Sequence, residues 1–282
     1  MFESIGRSFT LVSTSWNILM ADKKLLIFPT ISGIATGVVI LTFILPLILA
    51  GTFMNLPGLG PLFFYGLLFA FYLASYFVVI FFNTALIICV NARFQGKEMS
   101  VSEGLSGAAR HVPAIFAWAL VSATVGIILH LTERRAGFVG RIAKALIGGI
   151  WSLVTFFVVP IMVLENRGVV DAIKESVSLM KRTWGESIVG SGSIMLIFFG
   201  IGIISLILVF STLLFGNMVV FGIAVVMFIL LIVALMIVAS AMQGIFVTAL
   251  YRYARTGTIP AAFGRDLIQN AFIPLKAGPG TI

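Results

Sequence analysis

Charge is what this sequence has least of. Asp, Glu, Lys and Arg together make up 10% of the 282 residues, against about 25% in an ordinary soluble domain. A water-facing surface cannot be dressed with so few, and 60% hydrophobic content leaves no separate soluble domain to place elsewhere. Cysteine is nearly absent. Cys89 is the only one, which excludes an internal disulfide framework and any cysteine-built metal site. Histidine is represented by His111 and His130 alone, and the topology derived below puts them on opposite sides of a membrane. They share neither a metal nor a proton relay. His130 and Glu133 lack the second histidine of a zinc-protease helix. Gly190 to Ser193 is followed by no histidine that would activate a serine, and it is read as a flexible lead into the fifth span. The expectation is a chain without catalytic residues, cofactor or metal.

What is present is length without charge. A helix crossing about 30 Å of hydrocarbon needs about 20 apolar residues. Six stretches meet this with no Asp, Glu, Lys or Arg inside except Lys144 near the start of the fourth: Leu25 to Gly51, Leu62 to Val90, Val112 to Leu131, Ile142 to Leu164, Ile188 to Phe215 and Met218 to Leu250. Continuous apolarity of this kind belongs to helices, because transmembrane strands alternate between lipid and lumen. Glu3, Arg7 and Asn17 interrupt the start of the chain, so the first span is read as a retained anchor.

The formal net charge of +8 is read as topology rather than nucleic-acid binding. All the lysines and arginines except Arg134, Arg135, Arg141 and Lys144 fall on one side of the six spans. The positive-inside rule then places both termini in the cytoplasm and the chain in the cell membrane. Residues 132–141 are expected along the interface, with Phe138 and Ile142 toward lipid. Short uncharged links, through Pro57 and Pro61 and through Gly216 and Asn217, predict tight helical hairpins.

Ahead of each hairpin, apolar residues recur at helical spacing. The three stripes are Ile5, Phe9, Val12, Trp16 and Leu19; Val101, Leu105, Ala108, Val112 and Ile115; and Ile173, Val177, Met180 and Trp184. Gly96 and Gly168 each precede the first stripe position by the same interval, and Arg255-Thr256-Gly257 repeats the junction. Ser100 and Glu103 have capping-box spacing, and Asp171 puts negative charge near a helix start. The expected architecture is all-α: one polytopic membrane domain over 1–282, with six transmembrane helices as three hairpins. Each hairpin is introduced by an interfacial amphipathic helix, in repeats 1–92, 93–164 and 165–255 with a cytoplasmic tail at 256–282.

Candidate functional positions follow from membrane physics. Trp16 and Trp184 fall where indole rings anchor at the interface. Arg93, Lys97, Arg110, Arg167, Lys174, Lys181 and Arg182 form a basic collar suited to anionic lipid headgroups, or to simple anchoring. Asn83 and Gln243 are the amides at membrane depth, with interhelical hydrogen bonding the commoner use and solute coordination the rarer; Thr84 and Ser75 would complete a polar patch with Asn83. Pro46 and Pro160 are expected to bend the first and fourth spans. Gly33 with Gly37, Ala70 with Ala74, Ser122 with Gly126, and Ser240 with Gly244 have the spacing of close helix contacts, within the monomer or in a homo-oligomer.

Two stretches carry a family likeness. One is Ser8 to Trp16 with Asp22-Lys23-Lys24 and Pro29; the other is Pro160 to Trp184, where Val163-Leu164-Glu165-Asn166 leads into Ala172-Ile173-Lys174-Glu175-Ser176. These resemble an uncharacterised family of bacterial and archaeal six-helix integral membrane proteins. More distantly, the plan is similar to the membrane region fused to glycerophosphodiester phosphodiesterases, without their catalytic domain. The resemblance implies a fold and no reaction. Together these readings lead to a non-enzymatic membrane protein of structural or lipid-interacting type, with a passive transporter or channel for a small solute or lipid as the alternative.

Overall fold

A computed structural model describes residues 13–52, 59–133 and 147–257. Among them there are helices and no strand: α1 (13–21), α2 (Ile27–Thr52), α3 (Leu59–Phe94), α4 (Val101–Arg110), α5 (Val112–Glu133), α6 (147–154), α7 (Val158–Leu164), α8 (Val169–Ser211) and α9 (Met218–Thr256). Short 3-10 turns at Lys23–Leu26 and Thr212–Phe215 precede α2 and α9. Six segments are long and apolar enough to cross a membrane: Lys23–Gly51, Gly60–Phe94, Val112–Leu129, Ile147–Leu164, Ile194–Leu214 and Met218–Thr256. They coincide with the six spans expected from charge-free length. The chain is a polytopic helical membrane protein. Residues 53–58 and 134–146, which hold Pro57, Phe138 and Ile142, lie outside the described residues, as does the tail beyond Gly257.

The helices end where the sequence supplies a partner for their unpaired backbone groups. Ser100 caps α4 as a capping box: its hydroxyl accepts from the Glu103 amide at 3.2 Å, and the Glu103 carboxylate accepts from the Ser100 amide at 2.7 Å. Asn217 caps α9 by accepting from the Val219 amide at 2.9 Å, directly after Gly216 has turned the chain at φ +67°. Gly96 and Gly257 close α3 and α9 in the same left-handed conformation, at φ +75° and +66°. At the third junction the left-handed residue is Asn166, at φ +53°, and not Gly168.

Two expectations about helix continuity are corrected. The third interfacial helix and the fifth span are one 43-residue helix, α8, which runs through Gly190 to Ser193 without interruption. Glycine costs a helix about 1 kcal/mol each, too little to break one that has long helical runs on both sides. Pro46 leaves α2 a single helix, whereas the fourth span is broken by a turn at 155–157. Pro160 sits just after that break, in the first turn of α7, where its missing amide removes no helical bond. The Phe157 amide freed by the break is buried, and it donates to the Ser176 hydroxyl of α8 at 3.1 Å.

Contacts divide the chain into two compact units, Ile27–Lys181 and Met1–Leu26 with Arg182–Ile282. In the first, α3 packs against α2, α4, α5 and α7. Its buried residues concentrate at the end of α3 (Ala85, Leu86, Val90), along α4 and the start of α5 (Ala108, Ile115, Ala119), and in α7 and the first turns of α8 (Ile161, Met162, Ala172, Ser176, Leu179). Small residues make this close packing feasible. A Cβ on Gly104 would stand against the Cys89 sulfur, 3.0 Å from the Phe28 ring and 3.3 Å from the Ala85 carbonyl. Gly126 lies against Tyr76, and Trp118 stacks on Trp151 at 5.9 Å. In the second unit, burial centres on α1 and the end of α9, through Ser15, Leu19, Ala241, Met242, Ile245 and Ala249. There Phe210 of α8 meets Phe221 of α9 at 6.5 Å, and Gly202 lies near Ile232.

Elsewhere the spans are bare. Leu41 and Met195 are each 73% exposed and Leu214 is 89% exposed, which in hydrocarbon carries no penalty because lipid tails are as apolar as leucine. Polar side chains on the spans mostly donate to their own helix: Thr42, Thr124, Thr155, Ser205 and Thr248 each donate to the carbonyl four residues back, at 2.7–2.8 Å.

Two predictions follow from this packing. Ser176→Ala should remove the buried bond from the Phe157 amide and cost about 1–3 kcal/mol in detergent-titrated unfolding; an unchanged midpoint would mean that this bond does not hold the break. Gly104→Ala should destabilise by about 1–3 kcal/mol through overpacking. Gly33→Ala, where an added Cβ meets nothing within 4 Å, should be neutral or stabilising in the same assay.

Candidate functional site

Within the Ile27–Lys181 unit, a cleft of about 630 Å³ opens beside α4. Its polar wall is formed by Ser102, Glu103, Ser106, Arg110 and His111. Glu103, Ser106 and Arg110 recur at three and four residues, so one face of a ten-residue helix presents all three. The opposite, apolar wall is Ile88, Met99, Val163 and Leu164. Gly107 sits on the α4 side, where a Cβ would come within 3.0 Å of Ile88. Gly104 and Ala108 anchor the helix from its buried side, while Ser102, Glu103, Ser106 and Arg110 are exposed.

The capping box also sets the electrostatics. The Ser100 amide, and after it the Ser100 hydroxyl, donate to Glu103 and hold its carboxyl below the usual carboxylate range. Both bonds end on Oε2, at 2.7 and 2.8 Å. The cleft therefore carries an ionised carboxylate and a guanidinium about two helical turns apart. Arg110 makes no ion pair among the described residues.

The expected collar residues are not equivalent. Lys97, Lys174 and Lys181 are exposed. Arg167 is paired with Glu165 at 2.9 Å and approaches Glu175 at 3.9 Å, closing the corner between α7 and α8. Arg93 is half-buried and already engaged. The side chains of Arg182 and Trp184 lie outside the described residues. Trp16 is 42% exposed; the buried side of α1 is Thr14, Ser15, Ile18 and Leu19. In the same unit Trp16 lines an apolar groove with Phe198, Leu235 and Met242, and Gln243 lines a neighbouring one with Phe199 and Met236.

Asn83 is half-buried, with no hydrogen-bond partner among the described residues. Gln243 does have a partner. The polar patch expected around Asn83 does not form a bonded cluster. The Ser75 and Thr84 hydroxyls are buried without partners, and nine residues of helix, about 13 Å, separate them. Ser102 and Ser106 were not singled out by sequence, and His111 was weighed there only as a metal or relay partner of His130. Their signal was present as the spacing opposite the Val101, Leu105 and Ala108 stripe. No group of three or more His, Cys, Asp or Glu side chains able to hold a metal occurs among the described residues.

Comparison with protein families gives a match over residues 62–261, from the start of α3 to just past α9. The chain belongs to DUF6159, a family of unknown function. No curated protein and no solved structure matches it. The likeness to membrane regions fused to glycerophosphodiester phosphodiesterases therefore gains no support. The DUF6159 match takes in the whole α4 cleft and every collar residue, but not Trp16.

A carboxyl whose proton affinity is lowered by folding stabilises the folded state above the ordinary carboxylate range. That contribution disappears as pH falls through the lowered value. Between neutral pH and strongly acid pH the wild-type protein should therefore lose hydrogen-exchange protection over 101–104 as Glu103 protonates. Glu103→Gln, which keeps the box but does not titrate, should remove this dependence; equal pH profiles for the two proteins would disprove the assignment.

Proposed function

We propose that this DUF6159 protein is a non-enzymatic, lipid-interacting component of the cell membrane, with its basic end and both termini toward the cytoplasm. In this reading α1, α4 and the first turns of α8 are interfacial amphipathic helices. Each introduces a transmembrane hairpin and lies at the headgroup level. The observation that carries it is the placement of Lys97, Arg110, Lys174 and Lys181, all exposed, around the end of the Ile27–Lys181 unit where its buried residues concentrate. A rigid end with free cations attracts anionic lipid at about 1 kcal/mol per favourable charge. The bare apolar flanks are solvated by acyl chains or by a second copy of the chain.

A second reading, passive passage of a small solute or lipid, draws on the broken fourth span, since interrupted helices line transport sites in many transporters. Flux through reconstituted vesicles separates it from the first.

For the leading reading, the triple variant Lys97→Ala, Lys174→Ala, Lys181→Ala should lower retention of anionic lipid, read by mass spectrometry of protein extracted from mixed-lipid nanodiscs. Wild-type retention should weaken with salt, as surface attraction does. Matching lipid profiles for the variant and the wild type would remove the collar from the account.

A further inference from the structure

The geometry points to a headgroup seat for a zwitterionic phospholipid with a primary amine, a phosphoethanolamine lipid, in the cleft beside α4. This rests on the lipid-interacting reading and deepens it, because a collar of lysines attracts any anionic lipid while this cleft offers both signs of charge. Arg110 and His111 stand at one end of the polar wall and Glu103 stands at the other, with Ser106 between them. The arginine fork and the serine hydroxyl are donors of the kind that hold a phosphodiester.

Glu103 would take the amine. Its capping bonds both use Oε2, and Oε1 has no partner among the described residues. Ser106 is three residues from Glu103, a separation of roughly 5–6 Å between Cβ atoms, and this matches the two-carbon bridge between phosphate and amine. An ammonium group donates N–H bonds to a carboxylate, and a trimethylated choline has none to donate. Trp, Tyr and Phe rings, the usual recognition element for a quaternary ammonium, do not line this cleft among the described residues. The seat therefore selects ethanolamine over choline. The apolar wall of Ile88, Val163 and Leu164 belongs to membrane-spanning segments, so it continues from the headgroup level along the path an acyl chain follows.

The test uses the full chain in phosphatidylcholine nanodiscs containing equal minor amounts of phosphatidylethanolamine and phosphatidylglycerol, with retained lipids counted by mass spectrometry. Wild type should retain the ethanolamine lipid above its share of the bilayer. Glu103→Gln keeps the capping box, because glutamine serves in it as well as glutamate, so the helix survives while the charge is removed. It should lower the ethanolamine-to-choline ratio by about tenfold, the loss expected of a charge-assisted hydrogen bond, with phosphatidylglycerol retained at least as well as by wild type because the repulsion of Glu103 is gone. Arg110→Gln should lower retention of both minor lipids. The seat is refuted if wild type retains ethanolamine and choline lipids in bilayer proportion, or if Glu103→Gln keeps the wild-type ratio. The collar reading fails separately, if the triple lysine variant retains phosphatidylglycerol as wild type does.

Discussion

Every break in a helix of this protein depends on finding a partner for the backbone groups that the break releases. Hydrocarbon offers none, and each unpaired amide there costs several kcal/mol. The turn at 155–157 is sustained because Ser176, a full nineteen residues later, places its hydroxyl within 3.1 Å of the Phe157 amide. The same requirement explains why α4 begins at Ser100, why α9 begins at Asn217, and why left-handed residues stand at Gly96, Asn166 and Gly257. Several hydroxyls with no such task turn back on their own helix. Thr42 and Thr124 do so, and their polarity then carries no information about neighbouring helices.

Packing follows from where backbones are allowed to approach. Burial of apolar area drives little in lipid, so small side chains that admit a neighbour decide which ends come together. Gly104, Ala108, Ala172 and Ser176 do this for the Ile27–Lys181 unit. Gly33 and Gly37 have the same spacing in sequence but meet nothing. Spacing alone is therefore a poor guide. What distinguishes Gly104 is a partner helix whose own wall, Ala85 and Cys89, is low enough to accept it.

This distinction marks how far the sequence could be read. The six spans, the capping box and the Gly216-Asn217 turn are local properties, fixed by runs of charge-free residues or by side chains within three positions, and all were legible. The continuity of α8 was not. Glycine and serine at 190–193 look like a break when the flanking helical runs are left out of the balance. Arg167 looked like a free cation because only the folded corner brings it against both Glu165, just past α7, and Glu175 of α8. The α4 cleft was half legible. Ser102, Glu103, Ser106 and Arg110 share a helical period, but the apolar wall opposite comes from Val163 and Leu164, which only the fold brings near.

Lipid discrimination then depends on how charges are held rather than on how many there are. Lys97, Lys174 and Lys181 are exposed, and flexible, screened cations of this kind attract negative charge without regard to its chemistry. Glu103 and Arg110 differ because a single short helix, pinned by a capping box at one end and by Gly104 and Ala108 on its buried side, fixes the distance between opposite charges. A ligand whose amine reaches Glu103 while its phosphate lies toward Ser106 and Arg110 gains two interactions; a purely anionic one gains the attraction of Arg110 and meets the repulsion of Glu103. Specificity of this kind needs the repulsive partner as much as the attractive one. The capping carboxylate thus has two consequences from one position: it starts the helix, and it decides which headgroup the helix accepts.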